Sequence, residues 1–182
     1  MLPGQGQSAE GRGTITDKDI ANAEVIAETD YYKLIYLNLR YYCFIYDDNH
    51  NVAKTEGWLT TKPQLSIVDG YIVKFTLQPG TGIGTQWGYY YDTKADVFSN
   101  VFQSIFSEQG GKVAYGGLDK VIVRDIFDKT KYYKEFSTFK QPLAKSADPI
   151  TDVKFANKGK SIKVTYLTGA DLRSVSEVFD LG

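Results

Sequence analysis

Ile105-Phe106-Ser107-Glu108-Gln109-Gly110-Gly111-Lys112-Val113-Ala114-Tyr115, followed by Lys120-Val121-Ile122-Val123-Arg124-Asp125, is the stretch on which the fold turns. An apolar and aromatic run reaches a Gly-Gly pair, and a second run of the same character leaves it. Glycine takes positive φ at little cost, as the tight turn of a two-stranded hairpin requires. The same frame recurs in Ser66-Ile67-Val68-Asp69-Gly70-Tyr71-Ile72-Val73 and in Val153-Lys154-Phe155-Ala156-Asn157-Lys158-Gly159-Lys160-Ser161-Ile162. A fainter copy runs from Ala23 to Leu39 and turns at Thr29-Asp30. The chain therefore reads as about four related β-units.

Each copy leads into a strand that ends in an aromatic-Asp pair: Tyr46-Asp47, Tyr91-Asp92, Phe127-Asp128 and Phe179-Asp180. The pairs recur after 45 residues (47 to 92), 36 (92 to 128) and 52 (128 to 180), around the roughly 40 to 45 of a four-stranded propeller blade. An Asp at a strand end can accept hydrogen bonds from the N–H groups of the following turn, which gives the repeat a structural cause. Ser161 to Tyr166 alternates apolar and polar residues as a half-buried strand does. Asp96 to Phe106 carries Val97, Val101 and Ile105 in helical step, but its β-branched and aromatic content predicts strands.

From Ile105 to Phe136 the pattern resembles a WD40-type propeller blade. Phe106 to Ala114 is similar to that family's first hairpin, and Val121-Ile122-Val123-Arg124-Asp125 to the strand carrying its Trp-Asp pair, with Arg124 in place of the Trp. The Gly-His pair that usually opens such a blade is absent. Gln86-Trp87-Gly88-Tyr89-Tyr90-Tyr91-Asp92, with the C-terminal third, also resembles β-rich proteins exported by Gram-positive bacteria, a likeness that brings no activity with it. The expectation is an all-β fold: a four-bladed β-propeller-like ring of four-stranded antiparallel units, with a β-sandwich as the alternative. The last copy stops at Asp180-Leu181-Gly182 without an outer strand, and Gly13-Thr14-Ile15-Thr16 is expected to supply one, closing the ring. Residues 1–12 are expected to form a flexible leader and residues 13–182 a single β-repeat domain.

Composition narrows the function. The 182 residues carry 21 basic and 22 acidic side chains, a formal net charge of −1, which gives no electrostatic reason to expect nucleic acid or an anionic membrane as partner. No apolar run approaches the roughly 18 residues of a membrane span. One Cys, Cys43, excludes an internal disulfide framework and a cysteine-based zinc site. Fourteen Tyr and ten Phe stand against one His, one Cys and one Met. Scarcity of oxidisable residues predicts an extracellular or cell-envelope setting, with the cytoplasm as the alternative. Met1-Leu2-Pro3-Gly4-Gln5-Gly6-Gln7-Ser8 has neither the basic start nor the apolar stretch of a signal peptide.

No run reaches a catalytic, metal or cofactor signature. Gly80-Thr81-Gly82-Ile83-Gly84-Thr85 lacks both the Gly-Lys-Ser/Thr ending of a phosphate loop and dinucleotide-fold spacing, and reads as a hairpin loop. Asp47-Asp48-Asn49-His50-Asn51 opens like a calcium loop, but Val52 and Trp58 occupy its Gly and Glu positions, so a hairpin turn is expected. Cys43 reads as a buried thiol and His50 as a turn residue. Acid pairs of the glycosidase kind have no local spacing rule and cannot be chosen from sequence. Among the aromatic clusters, Trp58, Trp87 and Tyr89 border Gly-rich or polar turns and are the candidate ligand-binding residues. The function expected is a non-enzymatic binding or protein-interaction module without cofactor. The alternatives are a carbohydrate-active enzyme or glycan binder, and a structural segment of a larger envelope protein.

Overall fold

The structure is a computed structural model and describes residues 15–58, 61–78, 86–117, 119–146 and 148–182. Its strands form four consecutive antiparallel meanders. The first sheet holds β1 (Glu24–Glu28), β2 (Tyr32–Leu37), β3 (Arg40–Tyr46) and β4 (Val52–Trp58). The second holds β5 (Gln64–Val68), β6 (Ile72–Leu77), β7 (Trp87–Asp92) and a fourth strand split into β8 (Val97–Phe98) and β9 (Phe102–Gln103), both paired with β7. The third holds β10 (Ile105–Gln109), β11 (Lys112–Gly116), β12 (Val121–Asp125) and β13 (Tyr132–Phe136), and the fourth β14 (Ile150–Ala156), β15 (Ser161–Thr168) and β16 (Arg173–Asp180). This is the propeller-like succession of blades that the repeats predict, and Asp96 to Phe106 is strand rather than helix. Two face-packed sheets, as in a sandwich, are not what forms.

Turn chemistry explains why each unit is a meander. Asp69-Gly70 and Gly110-Gly111 join first to second strands with both residues at positive φ, the mirror-image turn that matches strand twist. At the far end of the third strand of every sheet an Asp bonds the next turn. Asp47 Oδ1 accepts from the N–H groups of Asn49 and Asn51, both at 2.9 Å. Asp92 Oδ1 accepts from Lys94 and Ala95, both at 2.9 Å, Asp125 Oδ1 from Phe127 at 3.0 Å and Asp128 at 2.9 Å, and Asp180 Oδ1 from Gly182 at 3.1 Å. The equivalent position in the third sheet is thus Arg124-Asp125, where the WD40-like pattern places its Trp-Asp pair. Phe127-Asp128 lies beyond the strand, in the turn to β13. The residue after the Asp then donates its N–H back to the first turn of its own sheet: Thr93 to Tyr71, Ile126 to Gly111, Leu181 to Lys160.

Alternation along the strands sends apolar side chains to both faces, so neighbouring sheets share cores. Tyr32, Leu34, Cys43 and Ile45 meet Val73, Phe75 and Tyr91 between the first and second sheets. Ile72, Tyr90 and Phe102 meet Val113 and Ile126 between the second and third. Ala114, Val121, Val123 and Phe136 meet Ile150, Val153, Ile162, Val164 and Tyr166 between the third and fourth. Gly88 is what lets β7 approach the third sheet, since a Cβ there would collide with the Ile105 side chain.

The expected closing segment takes a different course where it is described. Gly13 and Thr14 lie outside the described residues, and Ile15 and Thr16 lead into α1 (Asp17–Ala21) instead of forming a strand. Thr16 is the N-cap: it accepts from the Asp19 N–H, while the Asp19 carboxylate takes the Thr16 N–H and hydroxyl, a capping box that commits both residues to the helix. Among the described residues the fourth sheet has three strands.

Candidate contact surface

Strand polarity gives the four sheets two common ends. At one lie the Asp-bonded turns, and contacts between sheets keep them level. Asp69 Oδ2 accepts from the Gly111 N–H at 3.4 Å, and Lys112 Nζ donates to the Gly159 carbonyl at 2.8 Å. At the other end β4 finishes in Trp58, β7 starts with Trp87, and Asn38-Leu39 joins β2 to β3. Both tryptophans of the chain therefore lie at the end opposite the aspartates.

Cross-strand register builds the tryptophan end row by row. Tyr36 pairs with Tyr41, and Tyr41 with Trp58, so three aromatic side chains share one row on the face turned to the second sheet. The Tyr36 and Tyr41 rings are 4.8 Å apart. Across the interface Trp58 tilts against Phe75 at 5.5 Å, and Phe75 stacks on Tyr89 at 4.8 Å with 8° between planes. Trp87 and Tyr89 lie on the same face of β7, two residues apart. The structure thus brings Trp58 and Tyr89 together around Phe75 and sets Trp87 on the same face of β7 as Tyr89, and each of the three is half-buried rather than on an open surface. Phase, not proximity in sequence, unites them: Phe75 is fully buried beneath and anchors two of the rings.

Sequence reasoning missed Glu56. In β4 the residues Lys54, Glu56 and Trp58 share the face that meets the second sheet, and Glu56 is paired with Cys43 in the row below Trp58. Burial pushes the Glu56 carboxyl above its ordinary range, with Lys54 pulling the other way. The same burial, aided by the Glu56 charge, pushes the Tyr89 phenol and the Cys43 thiol up. The period-two spacing of Lys54, Glu56 and Trp58 was the signal that could have found it. A half-buried acid beside aromatic rings can accept hydrogen bonds from a ligand stacked on those rings, or pair with a cation. Leu39, 77% exposed at the β2–β3 turn, was likewise not foreseen.

The other candidates resolve as turns and core. The Asp47 carboxyl is held below its usual range, chiefly by the Asn51 backbone, because its lone pairs bond the hairpin. His50 stacks on Tyr46 at 4.6 Å in that same turn, at φ 63°, and Cys43 is fully buried two rows away. Around this turn a cavity of about 200 Å³ is lined by Asp30, Tyr31, Tyr46, Asp48 and Thr93 among others. A second, of about 440 Å³, lies beside Leu143 and Leu172 in the fourth sheet. Among the described residues no group of three metal-ligating side chains converges. No helix of the described chain is long and apolar enough to cross a membrane. Gly80 to Thr85 lies outside the described residues.

No family model matches the chain, and no curated protein matches it. Among solved structures it is similar to Hsv2 of Kluyveromyces lactis, at 10% identity and a TM-score of 0.34 over 87% of this chain and 72% of that one. The same protein with its complete loop 6CD gives 12% identity and a TM-score of 0.34 over 87% and 74%. The form in which a Gly-Ser linker replaces loop 6CD gives 11% and 0.30 over 87% and 70%.

Proposed function

We propose that this chain is a non-enzymatic binding module that engages a protein partner at its tryptophan end. One observation carries the reading: Tyr36, Tyr41 and Trp58 of the first sheet and Trp87 and Tyr89 of the second lie half-buried at this end, with Trp58 and Tyr89 packed on the ring of Phe75. Rigid aromatic side chains with their bodies packed and their edges open are the residues that dominate protein contacts. Glycan binding is the second reading, favoured by Glu56, an acid placed to accept sugar hydroxyls beside stacking rings. The setting that goes with either reading is the cell exterior or envelope, as the scarcity of Cys and Met suggests.

Because the chain has two tryptophans and both lie at this end, their fluorescence reports on it directly. The test is a displayed-peptide selection run beside a glycan array, each hit titrated against tryptophan emission and against Trp87→Ala. Peptide hits that shift the emission and weaken on substitution support the protein reading. Glycan hits with the same behaviour transfer the function to the second reading. Hits indifferent to both readouts, or silence in both screens, leave a structural role as the better description.

A further inference from the structure

Free strand edges template further pairing, and proteins blunt them with bulges, breaks, proline or lysine. Nearly every edge strand here is blunted. Register slips in β1 between Val25 and Ala27, along β4 opposite Ile45/Tyr46, in β10 between Ile105 and Ser107, along β13 opposite Val123/Arg124, and in β14 between Ile150 and Asp152. The outer edge of the second sheet is split into β8 and β9, and β5 is five residues long. β16 is different. Its eight residues pair with β15 without a slip from Ser161–Asp180 to Thr168–Arg173, and it contains neither proline nor lysine. Its other edge has no strand among the described residues, in the position that β4, β8/β9 and β13 fill in the other sheets. Val178 on it is 64% exposed.

We propose that β16 pairs antiparallel with β16 of a second copy of this chain, about a two-fold axis through Val175. Directly opposed residues in such a pair point to the same face, so the axis must set one residue opposite itself. Val175, Ser176, Glu177 and Val178 are the centres that pair five or more residues of β16, and Glu177 chooses between them. This carboxylate is 8% exposed, takes the Tyr166 hydroxyl and the Lys140 N–H at 2.8 Å, and has no cation within ion-pair distance among the described residues. A centre at Glu177 would oppose two carboxylates, one at Ser176 would set Glu177 against Val175, and one at Val178 would set it against Phe179. A centre at Val175 sets Arg173 of each copy, whose Nε lies 2.9 Å from Asp171 Oδ2 of its own chain, against Glu177 of the other. In the same register Leu172, 50% exposed in the turn just before β16, comes near Val178 of the second copy. It also leaves Asp180 outside the pairing, where its carbonyl already accepts from Lys134 Nζ at 3.0 Å. This inference does not depend on the function of the tryptophan end.

The test is the mass of the full chain in solution by light scattering across a concentration series, followed by cross-linking that reads the register. Wild type is expected at about twice the 20.4 kDa of one chain, and Arg173→Glu or Val178→Lys is expected to weaken the dimer at least tenfold with near-ultraviolet circular dichroism unchanged. Ser174→Cys and Ser176→Cys chains should form a disulfide when mixed and none alone, with the buried Cys43 not competing. A wild type that stays at monomer mass at every concentration overturns the proposal. So does a dimer that ignores both edge substitutions, or a Ser176→Cys chain that cross-links to itself, which would put the axis elsewhere.

Discussion

Glu56 shows how a single residue in this fold is governed by its phase. Its row on β4 turns it into the interface between the first two sheets, beside Cys43 and below Trp58. Burial disfavours its charged form, so in the folded state it holds its proton to higher pH than in the unfolded chain. Folded protein therefore binds more protons than unfolded above the ordinary value of 4.5, and this group's contribution to stability falls as pH rises through that window. Glu56→Gln, which keeps the shape and removes the charge, should raise the Tm at neutral pH. The gain should shrink as pH falls towards the ordinary carboxylate range. Calorimetry at a series of pH values checks this, and a Tm at neutral pH no higher than wild type would contradict it.

At the scale of elements, the recurring device is a strand that ends in an Asp whose carboxylate bonds the next turn. Asp92 illustrates it: two N–H donors, from Lys94 and Ala95, converge on one oxygen and set the turn that leads to β8. Asp92→Ala should cost about 1 kcal/mol, the usual worth of a side chain that caps backbone donors. Asp92→Asn, which keeps the acceptor, should recover most of that. Urea unfolding midpoints measure both, and equal losses in the two variants would show that the carboxylate's bonds to the turn are not what matters. This device was legible in sequence because it is local: the Asp and the N–H groups it bonds are two to four residues apart. The Phe127-Asp128 pair was misplaced within the third unit because Asp125 and Asp128 both bond turn N–H groups, and only the strand's end tells them apart.

Across the molecule, the sheets are held in order by the side chains between them, and Lys74 with Glu108 is the ion pair in that set. Lys74 on β6 reaches both Glu108 oxygens on β10, at 2.9 and 3.0 Å, with each side chain 17% exposed and the Tyr90 hydroxyl alongside. Removing one partner of such a pair strands the other, so Lys74→Met should cost about 3 kcal/mol. The double variant Lys74→Met with Glu108→Leu should regain most of that loss, because apolar groups of similar volume replace a dehydrated ion pair at little net cost. Chemical denaturation of the single and double variants measures the coupling. A double variant as unstable as the single would mean that the pair specifies how the second and third sheets dock.

What the sequence determined by itself is the set of features carried by near neighbours: hairpins at Gly and Asp, period-two alternation, and four units. These follow from backbone sterics and short-range hydrogen bonding, which act over a few residues. Only the tertiary structure decided which rows meet. Glu56, Trp58, Phe75 and Tyr89 are brought together by the packing of two sheets, and Lys74 finds Glu108 across 34 residues. Thr16, by contrast, went to a helix cap for a local reason, because Asp19, three residues on, completes a capping box there. The burial that raises the Glu56 carboxyl and the Tyr89 phenol belongs to contacts between sheets, whose distances in the chain no local pattern encodes.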